Sequence, residues 1–266
     1  MFARRPCAHL AAWGSAWLSG RAAFDDVLDA VSGRGRHRVG PGFDPSELHP
    51  VGAALTAWKR AGARTLRLAL PVPGDVRGLA GPPAFRQAAM AAGEAVYGPD
   101  FGVTAVAAPP TPSSAGPETV WQRGEVHGLA AEPVRPDLSS PDAVNPDPIS
   151  IAEAEHELAE AIREAATELA RRGSVSWLAD IGSQLSDARR AGERLWLPEG
   201  YPPRAVRLLA QAERLSAVLS LADRDQTGEL TSAGMAERAQ LLAPVRLSVR
   251  RALVAGYNVA EEMADS

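Results

Sequence analysis

The stretch Arg64-Thr65-Leu66-Arg67-Leu68-Ala69-Leu70 places leucine at every second position, with Thr65, Arg67 and Ala69 between. A period of two is the signature of a half-buried β-strand, because successive side chains point to opposite faces. A loop rich in glycine and proline follows it. Then come a predicted helix from Ala84 to Val96 and an apolar run at Val103 to Ala108. Strand, helix and strand within about 45 residues is the spacing of a right-handed parallel crossover. A further strand, about Thr119 to His127, returns after the loop Pro109 to Pro117. The expectation is a small mixed sheet of three to four strands.

Working back towards the start, residues 6 to 18 and 21 to 32 read as two short helices separated by Ser19-Gly20. His9, Trp13 and Trp17 recur every four residues, so they share one face, read as core. The glycine- and arginine-rich stretch from Gly33 to Arg38 breaks all periodicity and reads as a loop. A helix is expected from about Glu47 to Ala61, ended by Gly62.

Towards the C-terminus, residues 132 to 148 contain five prolines and no helical or strand period. This segment reads as a linker or a surface strap between a mixed α/β part, residues 1 to 131, and a helical part, residues 149 to 266. Ser150 and Glu153 form a capping box, so a long helix begins there. Its apolar stripe is Ile151, Leu158, Ile162 and Leu169, with Ala154 and Ala165 filling in. Further helices are expected at about 176 to 192, 203 to 222 and 232 to 259. Pro244 lies inside the last and is expected to kink or divide it. Four amphipathic helices with short connections predict an antiparallel bundle. The fold class is therefore mixed α+β and mainly helical.

The 266 residues include 51 alanines, 27 arginines against one lysine, and a single cysteine, Cys7. One cysteine allows no internal disulfide and fits a reducing cytoplasm. Arg4 and Arg5 before the apolar stretch Ala8 to Leu18 faintly resemble an export signal, but His9 and Gly14 interrupt that stretch. No later run approaches the ~18 apolar residues that span a bilayer. The net charge of −4 is unevenly spread: the first 130 residues carry +3, residues 131 to 199 carry −7, and residues 200 to 260 carry +3.

Several motifs carry partial chemistry. Asp223, Asp225, Thr227 and Gly228 fit the opening of a calcium-binding EF-hand loop, but the twelfth position is Gly234 where a bidentate glutamate is needed. The stretch is read as a polar turn and not as a metal site. Glu153 and His156 have the Glu-x-x-His spacing of di-iron bundles, without the second such pair. The glutamates 153, 157, 160, 164 and 168 read as a solvated face. Arg204, Arg207 and Arg214, with Arg246 and Arg250, recur at helical spacings and are available to that face or to nucleic acid. The loop from Pro71 to Arg86 leaves the carboxyl end of a strand, where α/β proteins gather ligands, so Asp75, Arg77 and Arg86 are the candidate binding residues for a phosphate or carboxylate. It lacks the P-loop and dinucleotide fingerprints. No nucleophile elbow is present, and Cys7 would be activated only by His37, His49 or His127 brought to it by the fold.

The stretches "FARRPCAHLAAWGSAWLSGRAAFDDVLDAV", "LPVPGDVRGL" and "GYPPRAVRLLAQAERLSAVLSLAD" resemble an uncharacterised family of hypothetical proteins from GC-rich bacteria, over nearly the whole chain. The resemblance implies one recurring architecture and carries no activity, cofactor or catalytic residue. The sequence therefore leaves function unknown. A non-enzymatic cytoplasmic protein-interaction or regulatory protein, engaging a partner or itself, is the first expectation. A small-molecule binder or enzyme using residues 71 to 86 is the alternative, and nucleic-acid binding through the arginine faces is the second. No cofactor is expected.

Overall fold

The computed structural model describes residues 5–33, 35–107, 118–126, 149–171, 195–224 and 232–259. The predicted linker over 132 to 148 and the predicted helix over 176 to 192 lie outside them. The chain divides into two compact units. One holds the sheet and its helices, together with residues 196–201 and 257–259. The other holds the long helices of the C-terminal half.

The first unit begins with α1 (Pro6–Leu18) and α2 (Phe24–Ser32). β1 (Arg36–Val39), α3 (Pro50–Arg60), β2 (Arg67–Ala69) and α4 (Pro83–Ala92) follow. β3 (Ala95–Tyr97), β4 (Phe101–Ala107) and β5 (Glu118–Glu125) complete it. The sheet has five strands in the order β1-β5-β4-β3-β2, not the three or four expected. Only β1 and β5 run parallel; the remaining neighbours are antiparallel.

Two strands were hidden in the sequence. The helix expected to reach Val96 stops at Ala92, because Gly93 adopts the left-handed conformation (φ 73°) and its amide closes the last turn on Ala89. The chain then reverses into β3, which inserts between β2 and β4, so the two strands read as a direct crossover are not neighbours. β1 was read as a loop because it is arginine-rich. It is an edge strand with Arg36 and Arg38 exposed and His37 and Val39 half-buried, the charged pattern that edges tolerate.

Both faces of the sheet carry helices. On one, Trp58 of α3 stacks on Phe101 at 4.7 Å, and its indole N–H donates to the Phe101 carbonyl. On the other, Phe85 of α4 lies so close to Gly124 that a β-carbon there would enter its ring. Phe85, Ala89, Tyr97, Ala80 and Val126 close that side of the core. α1 is buried nearly all round, with Cys7, Leu10, Trp13 and Ala16 all inside. A helix of that kind belongs at the centre of its unit. Of the stripe read as core, Trp13 is buried while His9 and Trp17 are half-buried.

The outer edge of β2 is closed by a side chain. Asn258 accepts from the Leu68 amide at 2.7 Å and donates to the Leu68 carbonyl at 3.1 Å, so one carboxamide replaces a neighbouring strand.

In the second unit, α5 (Ile151–Arg171), α6 (Pro203–Arg224) and α7 (Ser232–Asn258), the last without its final two residues, are the described helices. The capping box forms as expected: Ser150 Oγ accepts from the Glu153 amide, while the Glu153 carboxylate accepts from the Ser150 amide. The buried faces are Ile151, Ala154, Leu158 and Ala161 on α5, and Ala205, Leu208, Leu209, Ala212 and Leu219 on α6. Leu209 packs where Gly256 leaves room, and Arg251 reaches Glu157. These contacts set the starts of α5 and α6 beside the end of α7. Pro244 does not divide α7, which continues through it.

Asn258→Leu keeps the bulk but strips Leu68 of both partners, which should cost about 1–3 kcal/mol. Urea denaturation should show a lower midpoint with an unchanged slope, and a wild-type midpoint would deny the edge-closing role.

Candidate functional site

The chemistry-bearing residues of the first unit gather in three places. The deepest is at the start of α1, where Glu94, only 6% exposed, reaches in from the turn between α4 and β3. Its Oε2 accepts from the Cys7 amide at 3.2 Å, and its carbonyl accepts from the Thr104 hydroxyl at 2.6 Å. Free amides at a helix start need acceptors, and here an internal carboxyl supplies one. Burial nevertheless pushes Glu94 up to about 8, against the opposing influence of Arg5 and of the Cys7 and Ala8 amides.

Cys7 shares this place, with Sγ 3.9 Å from the Val103 carbonyl. Its burial first, and the neighbouring Glu94 second, hold the thiol well above its ordinary value. A thiol kept protonated is neither nucleophile nor soft ligand. None of its described contacts is a histidine, and His127 lies outside the described residues.

The second place joins α2, α3, β1 and β5. His49 caps α3 by accepting from the Gly52 amide through Nδ1 at 3.4 Å. Its ring stacks on His37 at 5.9 Å, and its Nε2 lies 3.4 Å from the Ser32 hydroxyl. The Trp121 indole N–H donates to His37 Nδ1 at 2.7 Å. A serine beside a histidine invites comparison with a nucleophile and its base, but the tautomer is wrong. With Nδ1 accepting from Gly52, the proton of the neutral ring sits on Nε2 and points at Ser32, so this nitrogen cannot take the hydroxyl proton.

The third place is the predicted ligand loop. Pro73 and Gly74 form its tight turn, flanked by paired Val72 and Asp75. Arg77 donates to both oxygens of Asp75, Nε at 2.8 Å and the terminal nitrogen at 2.9 Å. The two candidates thus form a bidentate pair with each other. Arg86 is half-buried on α4 near Tyr97, whose hydroxyl bridges the Ala80 amide and carbonyl. In the helical unit, Arg204 pairs with Glu155 at 2.7 Å and Arg251 with Glu157 at 2.6 Å, so part of the acidic face is met internally. Asp225 and Thr227 of the EF-hand-like stretch lie outside the described residues. Among the described residues no group of three or more His, Cys, Asp or Glu side chains is gathered as a metal ion needs.

What stands out on the surface is apolar. Leu48 is fully exposed in the segment leading to His49, Val76 is 56% exposed in the ligand loop, and Trp196 is 49% exposed at its edge contact with Trp13. Sequence reading missed Glu94 and the capping role of His49. His49-Pro50 was the available signal, because proline favours the first helical position and marks the residue before it as the cap.

The Glu94 shift sets a pH dependence. Folded, the carboxyl titrates near 8; unfolded, near its ordinary 4.5. Between those values the native state holds a proton that the unfolded chain has lost, so this contribution is full below 4.5 and gone as pH rises through about 8. Glu94→Gln should remove that dependence, making the gap in melting temperature between wild type and variant change steadily from pH 5 to 8.5. A constant gap would refute the shift.

Comparison with known proteins finds two matching family models: the Rv1486c-like protein, N-terminal domain, over residues 7–138, and the Rv1486c-like protein, C-terminal domain, over residues 152–254. The chain is 33% identical to the uncharacterized protein Rv1486c of Mycobacterium tuberculosis, covering 81% of this chain and 82% of that one. It is 30% identical to the uncharacterized protein ML1804 of Mycobacterium leprae, covering 95% of this chain and 96% of that one. No solved structure matches. Their names record no activity, and the function of the family is unknown. With both family domains matched in order and relatives aligned over most of their lengths, the chain belongs to the Rv1486c-like protein family.

Proposed function

We propose that this chain is a non-enzymatic cytoplasmic protein that works by binding another polypeptide. The observation that carries this reading is Leu48, a large apolar side chain left wholly in solvent beside a ring, His49, that is tied into the fold. Val76 and Trp196 add to the exposed apolar surface of the same unit. Single exposed leucines are ordinary, so the reading draws on Leu48 together with Val76 and Trp196, tryptophan being the residue enriched at binding hot spots. Supporting it from the other side, the groups that could perform chemistry are engaged within the fold: Cys7 is protonated and buried, His49 caps a helix, and Asp75 and Arg77 hold each other. No helix among the described residues is long and apolar enough to cross a membrane.

The reading of residues 71 to 86 as a phosphate or carboxylate site is weaker, because a ligand would have to compete with Asp75 for Arg77 at bidentate geometry.

The test is affinity capture from host lysate with the full chain, alongside light scattering for self-association. The wild type should retain a defined partner or form a defined oligomer. Leu48→Glu should weaken that association at least about tenfold, as truncating an anchor worth about 1.4 kcal/mol or more does, without changing the melting temperature. A strictly monomeric wild type that retains nothing specific would contradict the proposal.

A further inference from the structure

We propose that the stacked pair His49 and His37 is an acid-released latch, fastening the start of α3 to β1, β5 and α2 while both rings are neutral and letting go when they are charged. The geometry is specific to the neutral form. Each ring uses the lone pair of its Nδ1 to accept an N–H, from the Gly52 amide in His49 and from the Trp121 indole in His37. An imidazolium has no lone pair, so charging either ring sets donor against donor. For His49 the conflict is sharper, because its ring sits on the positive end of α3. Two charged rings 5.9 Å apart would also repel each other.

Uncharged groups face the pair on two sides. From α2 the facing group is the Ser32 hydroxyl, and from β5 it is the Trp121 indole. On β1, Arg36 and Arg38 flank His37 in the chain and are exposed, with Arg38 paired to Glu118. In the segment before α3, the nearest carboxyl in sequence is Glu47, two residues back. Burial lowers the affinity of His49 for a proton, in the same direction as the geometry. An asparagine or serine would cap α3 without titrating. A histidine in that role, stacked on a second, makes the cap conditional on pH.

Linkage fixes the sign. His49 binds its proton less readily folded than unfolded, so below the ordinary 6.5 the unfolded chain holds more protons and the latch loses stability as pH falls. The segment freed is the one from Phe43 to Gly52, since Pro41 stays tied to β5 through its carbonyl, which accepts from the Arg123 amide at 2.9 Å. This device does not depend on Leu48 meeting a partner.

Amide exchange at Gly52, Ala53 and Ala54 of the full chain, corrected for intrinsic rates, tests it. From pH 7.5 to 5 their protection should fall about fivefold, the factor that losing a helix cap of about 1 kcal/mol gives, while the amides of β4 hold theirs. In His49→Asn the protection should no longer change with pH. Unchanged protection in the wild type, or the same loss in the variant, would overturn the latch. Should the variant not fold, the ring nitrogens of wild-type His49 can be followed by NMR. Protonation of Nδ1 must coincide with the loss of Gly52 protection, and protection lost at a different pH also overturns the proposal.

Discussion

Glu94 stands in the turn that separates α4 from β3, and from there its carboxyl meets the free amides at the start of α1. That single placement ties together three levels of the structure. Gly93 ends α4 early enough for Glu94 to turn inward, the Thr104 hydroxyl of β4 fixes its carbonyl, and β3 follows directly into the middle of the sheet. Along α1, Ser15 then accepts from the Leu66 amide at 2.8 Å, and Gly14 leaves space for the Leu66 side chain. The strand whose alternation first betrayed the sheet is thus registered against a helix that is buried on nearly every side.

The same economy recurs elsewhere in the first unit. Groups that in another setting would bind or react supply backbone needs here: a carboxyl and an imidazole cap helices, and a carboxamide closes a sheet edge. Each satisfies a donor or acceptor that would cost about 1–3 kcal/mol if left buried and unpaired. The apolar surface is less thoroughly used, since Leu48, Val76 and Trp196 remain in water.

Much of the architecture was legible in the sequence because it is written in local periodicity. The strands near Leu68, Val103 and Trp121, the helices from Pro6, Ile151 and Pro203, and the capping box at Ser150 follow from spacing and caps alone, whereas α3 was expected from about Glu47 and starts at Pro50 behind its His49 cap. β1 and β3 did not, for different reasons. Arg36-His37-Arg38-Val39 is made acceptable by its edge position, which only pairing with β5 reveals. Ala95-Val96-Tyr97 is too short to show a period and continues a helical pattern that one glycine ends. Of the candidate residues, Asp75 and Arg77 were singled out as ligand candidates, and their bond to each other depends on the tight turn at Pro73-Gly74, which sequence did not reveal. Glu94 was invisible because it fell inside the helix expected to reach Val96, where a carboxyl reads as surface until a second helix start is placed against it.

Native-state hydrogen exchange along α1 tests the dependence on Glu94 most directly. The amides from Leu10 to Ala16 should exchange only through global unfolding, with denaturant dependence equal to that of the amides of β4. In a Glu94→Ala variant they should open separately, with protection lost in α1 while β4 keeps its own. If α1 already exchanges by local opening in the wild type, or stays as protected as β4 when Glu94 is removed, the buried carboxyl is not what holds this unit together.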